Sequence, residues 1–325
     1  MTLALLLAAG CSTADERDLC CDSVTLRYRY VRYGYDEYRD FIFSQRHFLF
    51  DSEGLFVREV PTFKAGAPRD LKLSELPAGA YTMVTVGNAT EGKTALTPLT
   101  PGVTRMADFR MGLLAKSLDG KAFADAEELF WNSRTFDVVP GKLQVYYCDM
   151  ANVHCHLRVM VQWESLPPAG SDAYTLIQSP LVPEYALETD ESLDMPLHGE
   201  PDPEKPTESG YAFVIHRFPR SLFTPPAAVV SPGELRGHDL YLYGVTLRYL
   251  DDHIPAIQIV HDGTNLFSKP IDLAPIFPKW GWFPSRVPEQ IYSIRLYIRD
   301  DGFVEVSPWL ESEVEDWIDG GTIYG

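Results

Sequence analysis

The stretch Val24-Thr25-Leu26-Arg27-Tyr28-Arg29-Tyr30 decides the fold class of this 325-residue chain. Val24, Leu26, Tyr28 and Tyr30 fall on one side, and Thr25, Arg27 and Arg29 on the other. Side chains of an extended strand alternate between faces, so this period of two predicts a half-buried β-strand. The same reading extends along the chain. Phe48 to Val57 predicts a hairpin whose turn ends at Gly54, a residue able to take positive φ. Leu71 to Leu73, Ala80 to Val86 and Leu129 to Val139 predict further strands in the first half. In the second half, Leu143 to Cys148 and Leu157 to Trp163 read as paired strands. Tyr174 to Gln178, Tyr211 to Phe218, Leu240 to Tyr249 and Ala256 to Val260 follow. Asp262-Gly263 and Asp300-Asp301-Gly302 mark turns, the latter between Ile294–Ile298 and Phe303–Val306.

No helix-length run with a 3.6-residue period appears; Ala107 to Leu118 and Phe123 to Phe130 each have room for a short helix. With 17 Tyr, 17 Phe, 6 Trp and 25 Pro, the composition favours short strands and turns over helices. The expected fold is therefore all-β, built from sandwiches with a few short helices.

Upstream of the first strand, Leu5-Leu6-Leu7-Ala8-Ala9-Gly10-Cys11 has the form of a lipoprotein cleavage site. The apolar run is far shorter than the roughly 20 residues of a spanning helix, so it reads as a removable signal. Residues 1–10 would be the signal peptide and 11–23 a lipidated leader, acylated at the Cys11 thiol with chains such as palmitate. Each buried methylene contributes about 0.8 kcal/mol, so several chains on one cysteine make a durable anchor. The domain expectation is a β-sandwich over 24–139 and a second over 140–325, the latter carrying an acidic, proline-rich insertion at 183–206.

The formal charge is −18 and unevenly placed. Cys11 to Val139 holds 16 basic and 19 acidic residues, whereas Pro140 onward holds 12 basic and 27 acidic. That acidic second half would be repelled by phosphate backbones, which argues against a nucleic-acid partner.

Motifs that suggest chemistry have plainer readings. Gly87-Asn88-Ala89-Thr90-Glu91-Gly92-Lys93-Thr94 matches the phosphate-loop pattern, but that chemistry needs a helix immediately afterwards. Pro98 and Pro101 oppose one, so a polar loop is expected. Cys148 and His154-Cys155-His156 offer metal-ligating atoms without a familiar zinc spacing; a Cys148–Cys155 disulfide or two buried thiols is the preferred reading. Asp251-Asp252-His253 and Asp300-Asp301 read as turn residues rather than calcium ligands. No metal, cofactor or catalytic residue is assigned. Trp280, Trp282 and Phe283 form an aromatic cluster suited either to sugar stacking or to packing.

Taken in order, several features resemble the fimbrillin-A-associated anchor family of Bacteroidales fimbrial lipoproteins. They are Cys11 and the cysteine-bearing leader through Cys21, the strand Val24 to Tyr30, and Leu76-Pro77-Ala78-Gly79-Ala80-Tyr81 running into Val84 to Gly87. Leu129-Phe130-Trp131 before Phe136 to Val138, and the tail Trp317 to Ile323 with its Gly-Gly pair, complete the series. Asp15, Glu16, Asp18 and Asp22 after the cysteine are similar to surface-export signals of Bacteroidetes lipoproteins. The resemblance implies two tandem transthyretin-like β-sandwiches, no catalytic site, and attachment to the outer membrane through acylated Cys11. It also implies a fimbrial shaft subunit as partner, joined by strand donation at a sheet edge or groove. Shaft subunits of the family lose a leading strand, whereas an anchor would keep Val24 to Tyr30. Trp317, Ile318, Thr322, Ile323 and Tyr324 are the expected contacts for the first shaft subunit. The alternative is a surface lipoprotein that binds glycans through Trp280 and Trp282.

Overall fold

The computed structural model describes residues 23–61, 67–89, 93–114, 125–170, 173–181, 184–190, 195–198, 216–219 and 239–309. The opening stretch forms β1 (Ser23–Arg29), which lies between two partners. β6 (Asp70–Ser74) runs antiparallel on one side, with Val24 opposite Leu73 and Leu26 opposite Leu71. β11 (Leu143–Asp149) runs parallel on the other, with Leu26 beside Tyr146 and Tyr28 beside Cys148.

A five-stranded sheet faces this one. Its order is β12 (Ala151–Asn152), β10 (Phe130–Val138), β7 (Gly79–Gly87), β4 (Gln45–Asp51) and β5 (Phe56–Val60). Val24, Leu26, Tyr28, Leu49, Met83 and Phe136 pack in the core between the two sheets. The β4–β5 hairpin forms as expected. Asp51 Oδ1 accepts bonds from the amides of Glu53 and Leu55, both at 2.9 Å, and Gly54 sits at φ +75°.

The central strands of the five-stranded sheet are buried on both faces. Phe48, Phe50, Val84, Val86 and Trp131 point into a second core. That face is covered by the sheet β16 (Met195–His198), β15 (Glu184–Asp190), β9 (Arg110–Leu113) and β8 (Thr94–Leu96). The second core continues without a break into the second sandwich. One of its sheets is β18 (Leu240–Leu247), β13 (His154–Trp163), β22 (Gln290–Ile298) and β23 (Val304–Pro308). The other is β17 (His216–Pro219), β14 (Ala173–Ser179), β19 (Ala256–His261) and β20 (Thr264–Asn265), with β21 (Ile271–Asp272) also on β19. Leu157, Val159 and Val161 share this core with Leu176, Ile257 and Ile259. A two-strand ribbon, β2 (Val31–Arg32) with β3 (Tyr35–Asp36), and one short helix, α1 (Tyr38–Phe41), follow β1.

The all-β expectation and the two sandwiches are what the structure contains, with four differences in detail. The first sandwich runs past Val139, because β11 and β12 join its sheets; the crossing to the second comes at His154. β11 and β13 are not a hairpin, since β11 pairs with β1 and β13 pairs with β18 and β22. Part of the expected insertion is a strand: Tyr185 and Leu187 of β15 are fully buried, and β15 pairs with β9. Among the described residues of Ala107–Leu118 and Phe123–Phe130, the only helical element is a single 3-10 turn at Met106–Asp108. Arg110–Leu113 is strand β9, because Met111 and Leu113 alternate into the second core, and Phe130 opens β10.

The burial of β1 sets a measurable difference between two substitutions. Leu26 is fully buried, and Leu26→Ala is expected to cost about 2–5 kcal/mol. The Tyr28 hydroxyl lies 2.8 Å from Thr85 Oγ1 and 3.2 Å from His47 Nδ1, and those two atoms are themselves 3.0 Å apart. They keep one another when the hydroxyl is removed, so Tyr28→Phe is expected to cost only about 1 kcal/mol. Chemical denaturation of both variants measures the gap.

Candidate functional site

Three parts of the fold bear on the tethering role expected from the sequence: the seat of β1, the junction between the sandwiches, and the outer face of the first sheet. The seat begins with Arg27 and Arg29. On the outer face, Arg27 makes a two-bond fork to Asp70 of β6, both bonds at 2.8 Å. Arg29 makes the same fork to Asp149 of β11 at 2.7 and 2.8 Å, and lies 4.6 Å over the Tyr147 ring. Planar guanidinium matches carboxylate geometry, which fixes register as well as adding attraction. Hydrogen bonding from Arg27 holds the Asp70 carboxyl below its usual pKa. β1 is thus bonded along both edges by its backbone and pinned to both neighbours by side chains.

The junction starts where β1 ends. Tyr30 is buried, and its hydroxyl donates to Glu289 of the second sandwich. Arg32 pairs with the same carboxylate and stacks on Phe41, 4.6 Å from the ring centre. Glu289 follows a loop that Arg248 organises from beneath. The Arg248 guanidinium donates to the carbonyls of Pro284 at 3.2 Å, Val287 at 2.5 Å, Pro288 at 2.6 Å and Asn152 at 3.3 Å. The last of these is in the first sandwich. Burial pulls the Arg248 pKa down, but an arginine remains charged in a protein. The crossing segment itself carries His154 and His156, whose rings are 4.8 Å apart. His154 Nδ1 donates to the Leu129 carbonyl at 2.9 Å, and His156 Nδ1 meets the Tyr243 hydroxyl.

Burial lowers the pKa of both His47 and His154 to about 4, and that of His156 well below its ordinary value. These rings fold neutral, while in the unfolded chain they take up a proton near pH 6.5. The unfolded state therefore binds more protons between about pH 4 and 6.5, and stability falls as pH drops through that window. His47 and His154 each contribute on the order of 3 kcal/mol to the fall. Asp70 acts in the same direction at lower pH, and Glu128, whose pKa burial raises, acts against it. Denaturation midpoints measured from pH 7 to pH 4 are expected to decline, and His47→Gln is expected to flatten the curve. An equal slope in that variant contradicts this assignment.

The sites read from sequence fare differently. Phosphate-loop chemistry finds no support at Gly87 to Thr94, because strand β8 rather than a helix begins at Thr94. Asn88 closes the strand end. Its Oδ1 accepts from the amides of Phe43 and Ser44, and its Nδ2 donates to the carbonyls of Phe41 and Glu128. The Cys148–Cys155 disulfide does not form. Both are buried free thiols, with Cys148 in the core between the sheets of the first sandwich and Cys155 in the second core. Burial pushes the Cys148 thiol up to about 12 and raises Cys155 further, so neither is a ready nucleophile. Among the described residues no group of three His, Cys, Asp or Glu is placed to hold a metal. Asp251 serves as a turn residue, accepting from the Ser285 amide and hydroxyl.

Trp280, Trp282 and Phe283 are only partly exposed, and the two tryptophans pack on the second core. Trp280 meets Trp282 edge-on at 75°, Phe277 meets Trp282 at 88°, and Tyr292 lies 5.2 Å from Trp282. Arg286 covers Phe283 at 4.3 Å. The rings are spent on one another and present no shared flat platform. Cys11, the leader through Asp22, and Trp317, Ile318, Thr322, Ile323 and Tyr324 lie outside the described residues. Sequence reasoning did not single out Glu289 or Arg248. Their roles depend on contacts between residues far apart in the chain, and the only sequence signal is an arginine, Arg248, set between Leu247 and Tyr249 in an apolar strand.

Arg248→Met is expected to cost about 3 kcal/mol, since it strips four carbonyls of a charged donor. It should also speed hydrogen exchange both at 284–289 and at the Tyr30 end of β1. Faster exchange confined to 284–289 would show that the loop does not support the junction.

The profile of one protein family, the fimbrillin-A associated anchor proteins Mfa1 and Mfa2, matches residues 18–189. No curated protein matches the chain. Among solved structures, the chain is similar to the fimbrial anchor protein Mfa2 from Porphyromonas gingivalis, with TM-score 0.58 and 14% identity over 90% of this chain and 99% of that one. It is also similar to a candidate polysaccharide binding protein from Bacteroides thetaiotaomicron, with TM-score 0.60 and 14% identity over 90% and 99%. A candidate adhesin from Bacteroides ovatus gives TM-score 0.60 and 14% identity over 89% and 94%. At these identities the likeness is one of fold.

Proposed function

Because the chain belongs to the fimbrillin-A associated anchor proteins, we propose that it holds the base of a strand-exchange fimbrium at the outer membrane, tethered by acyl chains on Cys11. The observation that carries this reading is the state of β1. The slot between β11 and β6 is filled by the chain's own first strand, bonded on both sides. A sandwich closed in this way has no use for a donated strand at that position. It suits the terminal member of a polymer rather than a link within it. The leader joins the body at the start of this same strand, so a pull from the lipid enters the fold through a strand paired on both sides.

The shaft partner would be engaged by the C-terminal segment, through Trp317, Ile318, Thr322, Ile323 and Tyr324. Exposed backbone on a donated or accepted strand supplies affinity, and alternate side chains supply selectivity. The glycan-binding alternative is less well supported, because Trp280, Trp282 and Phe283 are committed to packing.

Two changes to the chain test the proposal. Cys11→Ser is expected to move the protein from the membrane fraction to the soluble fraction. Deleting residues 317–325 is expected to leave the protein on the membrane but release fimbriae into the medium. Fimbriae that stay cell-bound after the deletion would overturn the assignment of the C-terminal segment.

A further inference from the structure

The outer face of the first sheet exposes apolar side chains in a row. β11 is its edge strand, and Leu143, Val145 and Tyr147 project from it at 69%, 52% and 48% exposure. Register sets these side chains in cross-strand rows. Val145 lies beside Thr25 and then Lys72, and Tyr147 lies beside Arg27 and then Asp70. Arg29 lies against Tyr147 from the next row. The face therefore presents an aliphatic and aromatic stripe flanked by three cations, Arg27, Arg29 and Lys72, against two carboxylates, Asp70 and Asp149. It carries a small positive excess on a chain of net charge −18.

The start of the stripe is also where the chain leaves for its tether. Ser23 is the register partner of Leu143. Only residues 12–22 separate that point from Cys11, which at full stretch is about 40 Å. We propose that this face lies against the bilayer surface. Leu143, Val145 and Tyr147 enter the headgroup–acyl boundary, and Arg27, Arg29 and Lys72 lie among the lipid phosphates.

This inference rests on the tether at Cys11 and goes beyond it. Three apolar side chains bind a membrane weakly on their own, but a short tether raises their effective concentration enough for a weak face to stay docked. Tyrosine suits the interface, having an apolar ring and a polar end. The stripe projects from the flat of the sheet rather than along its edge. A strand added to β11 would pair with the backbone and leave these side chains uncovered, whereas a planar surface covers all three.

The test uses the full chain, processed and acylated in cells and reconstituted into vesicles of phosphatidylethanolamine and phosphatidylglycerol. The Cys11→Ser chain in solution is the reference. Hydrogen exchange of residues 142–149 is expected to slow several-fold on vesicles while the exposed turn at Asp300–Gly302 is unchanged. The double variant Leu143→Asp, Val145→Asp is expected to sediment with vesicles as before but to lose the protection, with an unshifted melting temperature confirming that it folds. An acylated chain that sediments while 142–149 exchanges as in solution overturns the docking and leaves the tether standing. Protection that persists in the double variant, or that requires added shaft subunit, also overturns it. A chain that does not sediment at all refutes the tether itself.

Discussion

β1 is bonded along its whole length to β11 on one side and from Ser23 to Arg27 to β6 on the other, and the first sandwich is organised around that double pairing. Its inward residues Val24, Leu26 and Tyr28 fill the centre of the core, and its outward arginines lock both neighbours in register. Neither flanking strand touches the other directly, so the sheet exists only because the first strand bridges it. This makes β1 both the start of the chain's folded body and the element its sheet cannot do without.

The second dependence is between the sandwiches. Phe48, Val84 and Trp131 belong to the first, and Leu157 and Ile294 to the second, yet all share one core. Polar contacts reinforce this apolar continuity. Glu289 takes Tyr30 and Arg32 from the end of β1, and Arg248 binds the Asn152 carbonyl together with the loop that presents Glu289. Arg248 is buried and Arg32 and Glu289 are largely enclosed, so removal of one partner is costly even where the pair itself adds little. The two halves behave as parts of one body.

Period-two alternation made most of the strands legible, including β1, the β4–β5 hairpin and the β22–β23 turn. It worked because those strands each have one wet face or a strong turn signal. It failed where tertiary burial erased the alternation. Ala107–Leu118 has room for a short helix by sequence, but Arg110–Leu113 within it is strand β9, too short at four residues for a period of two to stand out. Tyr185 to Leu187 read as exposed because acidic and proline residues surround them, although β9 recruits them into a sheet. The Cys148–Cys155 pairing assumed that neighbours in sequence are neighbours in a hairpin, and the chain instead crosses between sandwiches there. The junction through Arg248 and Glu289 carries no local pattern at all. Cys11 and the C-terminal residues Trp317 to Tyr324 rest on motif and resemblance and lie outside the described residues.

The direction of β1 has a mechanical consequence. It lies parallel to β11 and antiparallel to β6. A force drawn out through Ser23 along the strand axis cannot open those ladders one rung at a time, as it would peel a hairpin from its end. It must slide β1 against both neighbours, so the rungs resist in shear as a group while Leu26 and Tyr28 plough through a close-packed interior. Geometry of this kind gives a tethered protein resistance to a sustained tug that exceeds what its equilibrium stability alone would suggest.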